Sequence, residues 1–237
     1  MMKSEIIKSL TVPARFCGPP DSGNGGYTCG LVAGELGGVV ECTLRNPVPM
    51  EVPLEIERSE SGGVLRHGDK VIVEVRPATV EVAPPAPIDL ERATEAMKLS
   101  SAKDPRHPFP TCFVCGPKRK NHDGLEIFPA AIKDSLYAAT WLPAGEFGDS
   151  RQLLRPEFLW AAMDCPTGFA AGFPVVGKLV TGRLAMEQLQ PIKVGELCLL
   201  LSWPVGVEGR KHFSAACLYQ NQKPCAVARA TWIRLEG

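Results

Sequence analysis

Two short stretches hold residue types that could do chemistry together. The first is Asn24-Gly25-Gly26-Tyr27, inside DSGNGGYTCG. A capping side chain followed by glycines at a helix start leaves backbone N–H groups that can face an anion at the positive end of the helix dipole, and the glycines let a ligand approach the backbone. The amides of Gly25 and Gly26, or that of Tyr27, are the expected donors to a developing oxyanion. The second is Asp164, in RPEFLWAAMDCPTGFAAGF (155–173), where the only other charge after Pro156 is Glu157. A carboxylate in so apolar a stretch needs hydrogen-bond partners or a pocket. Partly desolvated, it has a raised pKa and is a candidate general base or nucleophile. Asn24 can orient a group by hydrogen bonding but cannot take up a proton near neutral pH.

Other groups carry weaker signals. Cys112 and Cys115 form one CxxC pair, which His107, His122 and Cys165 could in principle complete to a zinc set. No second pair stands in the sequence, so no metal is expected. Lys118, Arg119, Lys120 and Arg210 lie in polar turns, where solvated charge is the plain reading and phosphate contact the functional one. Glu157 reads as a first-turn residue that complements the helix dipole. His67 and His212 show no partner spacing.

Several elements must position these groups. Residues 155–173 are apolar on every helical face, so that helix must be buried all round. Pro156 suits its first position, and Pro166 is expected to kink or end it near Asp164. A shorter helix over 27–36 is poor by propensity and needs close packing of its small residues. Strands are expected at 10–16, 39–45, 51–58 and 70–76, where VPLEIE and KVIVEVR alternate apolar and polar. In the second half, GLEIFPAA and SLYAATWLP read as a strand pair before the apolar helix. KLVTGRLAMEQLQ, GELCLLLSWPV, GRKHFSAACLYQ and KPCAVARATWIRL read as four strands after it. Residues 77–111 begin and end in proline-rich sequence and have helix-forming composition over 89–99, which reads as a linker carrying a docked helix. A helix followed by strands in both halves is a weak internal repeat and an α+β pattern. The expected division is 1–76, 77–111 and 112–237.

Of 237 residues, 45% are hydrophobic and 22% charged, enough for a real core. Basic and acidic residues cancel at 26 each, so no net field favours nucleic acid or an acidic membrane. The amino terminus lacks an uninterrupted apolar run, and no run of ~18 apolar residues occurs, so a soluble, cytoplasmic protein is expected. Nine cysteines, scattered through apparent strands and helices, read as small buried thiols and not as a disulfide framework.

The order of these motifs resembles that of hotdog-fold acyl-CoA thioesterases. The CxxCG with Gly124-Leu125 and a strand, the helix with Asp164, VTGRLAMEQLQPIKVGE and GRKHFSAACLYQNQKPCAVARATW follow the family's course through 112–235. Residues 10–76 resemble a second, abbreviated copy. The resemblance implies an α+β tandem hotdog, with curved antiparallel sheets each wrapping a central helix. It also implies a site where the glycine-rich helix start of one lobe faces a carboxylate of the other.

In the family that helix opens with His-Gly-Gly. Here the first half has Asn24-Gly25-Gly26 but Ala33 about where the acid would fall. The second half has Asp164 but Arg155-Pro156-Glu157 in place of the glycines. The implied site is composite, with Asn24, Gly25, Gly26 and Tyr27 opposite Asp164, hydrolysing an acyl-CoA or other acyl thioester. Coenzyme A enters only as part of the substrate and no cofactor is required; Lys118, Arg119, Lys120 and Arg210 would meet its phosphates. Asn24 in place of histidine makes a non-catalytic acyl-CoA or acyl-chain binding module the alternative. A hydratase or dehydratase ranks last because neither helix holds a histidine. One chain would supply both lobes, with further self-association through sheet edges or faces left open.

Overall fold

The computed structural model describes residues 5–105, 107–120, 122–133 and 135–236; the first four residues of the amino-terminal stretch lie outside them. The apolar helix finds the cover it needs. In α3 (Pro156–Ala170) every residue from 158 to 170 is buried. Pro166 does not end it, contrary to expectation, because packing on all sides holds the helix through the missing N–H. The Thr167 hydroxyl donates to the Asp164 carbonyl at 2.6 Å, covering an acceptor beside the proline.

Among the described residues eleven strands form one sheet: β1 (Glu5–Thr11), β2 (Val40–Leu44), β3 (Pro53–Ser59), β4 (Gly62–His67), β5 (Lys70–Pro77), β6 (Ala130–Lys133), β7 (Leu136–Trp141), β8 (Leu179–Gln188), β9 (Cys198–Glu208), β10 (Lys211–Gln220) and β11 (Lys223–Arg234). The other helices are α1 (Gly25–Leu36) and α2 (Leu90–Met97). Strand order is β1-β3-β4-β5-β2-β8-β11-β10-β9-β7-β6, and every pairing is antiparallel. This corrects the expectation of separate sheets. The halves join where β2 pairs with β8, Val40 opposite Met186 and Thr43 opposite Arg183, so the ladder runs unbroken between them.

Both halves nevertheless follow one plan. Strand order is β1-β3-β4-β5-β2 in the first and β7-β9-β10-β11-β8 in the second, with α1 or α3 inserted after the first strand of its set. Sequence reading missed β4, and it placed the first strand at 10–16, where the chain instead leaves β1 and makes a 3-10 turn at Ala14–Phe16. Residues 124–129 are not a strand, because Leu125 and Ile127 donate to the Phe113 and Val114 carbonyls of the CxxC loop. Glu126 between them has φ 53°.

The sheet's two faces are covered differently. Along β10, Ala216 and Leu218 belong to the core that includes α1 and α3. Cys217 and Tyr219 point the other way, into a smaller cluster with Val80 and Ala93 of the 77–111 segment. That segment is docked: Ala93 is buried, Thr94 Oγ1 lies 3.1 Å from Thr140 Oγ1, and the Tyr219 hydroxyl donates to the Pro85 carbonyl. Among the described residues no helix is long and apolar enough to cross a membrane.

On the opposite face α1 lies directly against α3. A Cβ added at Gly26 would stand 2.5 Å from Asp164 Cβ, and one at Gly30 would stand 2.5 Å from Glu157 Cα. Glycine there is what lets the helices approach this closely.

Candidate functional site

The close approach of α1 and α3 brings the two sequence-predicted groups together. Asn24 is the N-cap of α1: its Oδ1 accepts from the Tyr27 amide at 2.8 Å. Its Nδ2 faces Asp164 Oδ2 at 3.4 Å, and the Gly26 amide donates to the same oxygen at 3.0 Å. The other oxygen, Oδ1, accepts from Thr181 Oγ1 on β8 at 2.8 Å. Asp164 is only 1% exposed. Burial pushes its pKa up to about 7, against the opposing pull of hydrogen bonds from Thr181, Gly26 and Asn24.

Of the amides expected as oxyanion donors, those of Gly26 and Tyr27 are spent on Asp164 and Asn24. The first N–H groups of a helix have no intrahelical acceptor, and that of Gly25 makes no hydrogen bond among the described residues. Gly25 faces a cavity of about 570 Å³, also lined by Asn24, Asp164 and Thr181. It is the amide left to meet a ligand. The Tyr27 side chain turns away and stacks on Phe16 with ring centroids 4.1 Å apart; burial raises its pKa to about 12.

The cavity is apolar along Phe169, Phe173, Leu179 and Trp232, with Arg45 and Lys178 as exposed cations on its lining. Lys118, Arg119, Lys120 and Arg210 do not line it. Arg119 is held by Asp123 and by the Thr111 and Arg15 carbonyls, and Arg210 pairs with Glu236 at 3.6 Å. Glu157 is in the first turn of α3 and pairs with Arg155 at 3.2 Å.

Three cysteines stand on the same wall. Cys112 Sγ lies 3.7 Å from Cys165 Sγ, and Cys115 Sγ lies 3.3 Å from it. The Asn24 amide group is 3.9 Å from Cys112 Sγ, and His107 Nε2 is 3.6 Å from Cys115 Sγ. Hydrogen bonds from Cys115 and Cys165 draw Cys112 well below the ordinary thiol range. His122 lies elsewhere, exposed beside Glu126. No spacing signal could have found Thr181, Arg45 or Lys178, which tertiary structure alone brings to the cavity.

No protein-family model matches the chain, and no curated protein matches its sequence. Similarity to solved structures is extensive. A protein described as an oleoyl thioesterase from Lactobacillus plantarum superposes with a TM-score of 0.60 over 100% of this chain and 98% of its own, at 8% identity. A thioesterase-described, phenylacetic acid degradation-related protein from Ralstonia eutropha JMP134 gives 0.42 at 18% identity, over 46% of this chain and 85% of its own. The E. coli PaaI protein from the phenylacetic acid degradation operon also gives 0.42, at 16% identity, over 48% and 82%. The full-length superposition shows the fold, which is of the hotdog type.

Proposed function

We propose that this chain is a tandem hotdog that hydrolyses acyl thioesters in the cavity where α1 meets α3. The observation that carries the reading is the Asp164 carboxylate of α3, held against the start of α1 beside a free Gly25 amide and an apolar cavity. The shared strand order of the two halves supports the tandem description.

In this reading Asp164 takes a proton from a cavity water as its oxygen adds to the thioester carbonyl carbon. The carbonyl oxygen becomes an oxyanion and accepts from Gly25 N–H at the positive end of α1. The intermediate collapses, the carbon–sulfur bond breaks, and the leaving thiolate recovers the proton from Asp164. Products are a carboxylic acid and a thiol. Thr181 and Asn24 hold the carboxylate in place, and the apolar wall takes the acyl chain. Lys178 is placed to meet an anionic carrier such as coenzyme A, whereas the Arg45 guanidinium already pairs with Glu74 at 2.7 Å.

The test is release of free coenzyme A from acyl-CoAs of graded chain length, followed by mass spectrometry, with wild type and Asp164→Asn side by side. Turnover by wild type that is lost in a folded variant is the expected result. A second reading, a non-catalytic acyl-binding module, draws on the full set of hydrogen bonds at Asp164, which leaves that carboxylate content without a reaction. Acyl-CoA that binds to wild type and is never cleaved would establish it.

A further inference from the structure

The thioester reading makes no use of Cys112, Cys115 and Cys165, and the following inference does not rest on it. We propose that these three cysteines bind a zinc ion through their thiolates, with the fourth coordination position open to the cavity. All three side chains are buried and all three line the cavity. They come from two separate parts of the chain: a loop supplies the CxxC pair and α3 supplies Cys165. Their sulfurs all lie within 4.8 Å of one another.

Size and chemistry both fit. Tetrahedral zinc with bonds of about 2.3 Å to sulfur sets neighbouring sulfurs about 3.8 Å apart. The observed 3.7 Å between Cys112 and Cys165 matches that edge, and the 3.3 Å between Cys115 and Cys165 requires only a small opening. Three soft thiolates suit zinc better than hard cations, which prefer oxygen. Three protein ligands with one open position is also the pattern of zinc sites that handle exchangeable ligands.

Two neighbours supply the N–H donors that coordinated thiolates accept. Asn24 Nδ2 faces Cys112 at 3.9 Å, and His107 Nε2 faces Cys115 at 3.6 Å. His107 is assigned as a donor and not as the fourth ligand because the Phe109 amide donates to its Nδ1 at 3.1 Å. That contact places the ring proton on Nε2, directed at Cys115. A disulfide is the competing fate of close thiols, but it would join only two of the three.

The experiment measures the metal content of untagged full-length protein by mass spectrometry and the absorbance of the chelator-stripped chain on titration with cobalt(II). One zinc per chain and a strong thiolate-to-cobalt charge-transfer band are expected. Zinc should be lost in Cys112→Ser, Cys115→Ser and Cys165→Ser and retained in Cys217→Ser, whose thiol lies on the other face of the sheet. His107→Phe should keep the zinc but hold it on the order of 10- to 100-fold more weakly. Wild-type protein without zinc and without the cobalt band, or with a Cys115–Cys165 disulfide, overturns the proposal even where a serine variant fails to fold. Zinc that persists in Cys165→Ser, or vanishes completely in a folded His107→Phe, overturns the three-thiolate assignment.

Discussion

Substituting Gly30 by alanine tests the contact that builds the site. Within an isolated helix the change would help by about 0.8–1 kcal/mol, since alanine is the better helix former. Here the new Cβ would stand 2.5 Å from Glu157 Cα, 2.8 Å from the Pro156 carbonyl oxygen and 2.8 Å from Trp160 Cβ. None of these is the end of a flexible side chain, so α1 and α3 must move apart. Overpacking of this kind costs roughly 1–3 kcal/mol and occasionally more. With backbone on the opposing side, about 3 kcal/mol is the appropriate figure, for a net loss of about 2 kcal/mol.

Gly34 is the control. It lies on the same helix, and its Cβ would meet only the Pro156 ring at 3.4 Å, an ordinary contact. Gly34→Ala should therefore gain about 0.5–1 kcal/mol. For a chain of this length, thermal unfolding should show Gly30→Ala lowered by about 4–8 °C and Gly34→Ala raised by about 1–4 °C. Equal shifts in the two variants would refute the description of α1 pressed against α3, and with it the geometry that brings Gly26 to Asp164.

Gly25 occupies the first position of α1, where proline is accepted but carries no N–H, so Gly25→Pro should cost about 10²–10³ in kcat; Gly25→Ala keeps the N–H but sets a Cβ 3.2 Å from Thr181 Oγ1, and should lose less. With chelator present, stability should fall as pH rises from about 4 to 7. Asp164 is raised to about 7 in the folded chain, which therefore binds the extra proton across that window. The Asp164 part of the drop is about 4 kcal/mol in urea unfolding, and Asp164→Asn should remove it, leaving the opposite slope of the groups held below their ordinary values, Glu74, Glu146, Asp149 and Cys112. Thr181→Val removes a donor to that carboxylate and should cost about 1.5–3 kcal/mol at pH 8, read by the same method. Ala93→Asp places a charge at a fully buried position of α2, so limited proteolysis should then cut within 77–111 at protease levels that leave wild type intact.

The two stretches that the fold brings together were legible because each breaks local rules. Asp164 is a charge inside an apolar helix, and Asn24-Gly25-Gly26 is a cap followed by residues that weaken a helix. What each backbone amide does was not legible. Whether Gly25 or Gly26 stays free depends on where a carboxylate 138 residues beyond Gly26 comes to rest. Thr181 was hidden for the same reason, whereas Cys165 was one of three residues the sequence offered to join the CxxC pair, and distance in the fold selects it.

Local misreadings have local causes. Pro166 argued for a break that surrounding packing overrides. GLEIFPAA looked like a strand by composition, but its first residues bond to the CxxC loop. SGGVLRH is too short and glycine-rich to announce β4. The linker helix was visible because Leu90, Ala93 and Met97 fall on one helical side.

The pairing of β2 with β8 has a further consequence. Two identical subunits related by a twofold axis must carry two equivalent sites, and any change made to one appears in the other. Here the corresponding helices belong to a single polypeptide, so they are free to differ. One has kept the glycines and the other the carboxylate, while the reciprocal position is filled by Pro156, Glu157 and Gly30 packed for strength. Broken symmetry lets the two ends of the helix pair differ: Asn24, Gly26 and Asp164 meet at one, and Gly30 packs on Pro156 and Glu157 at the other.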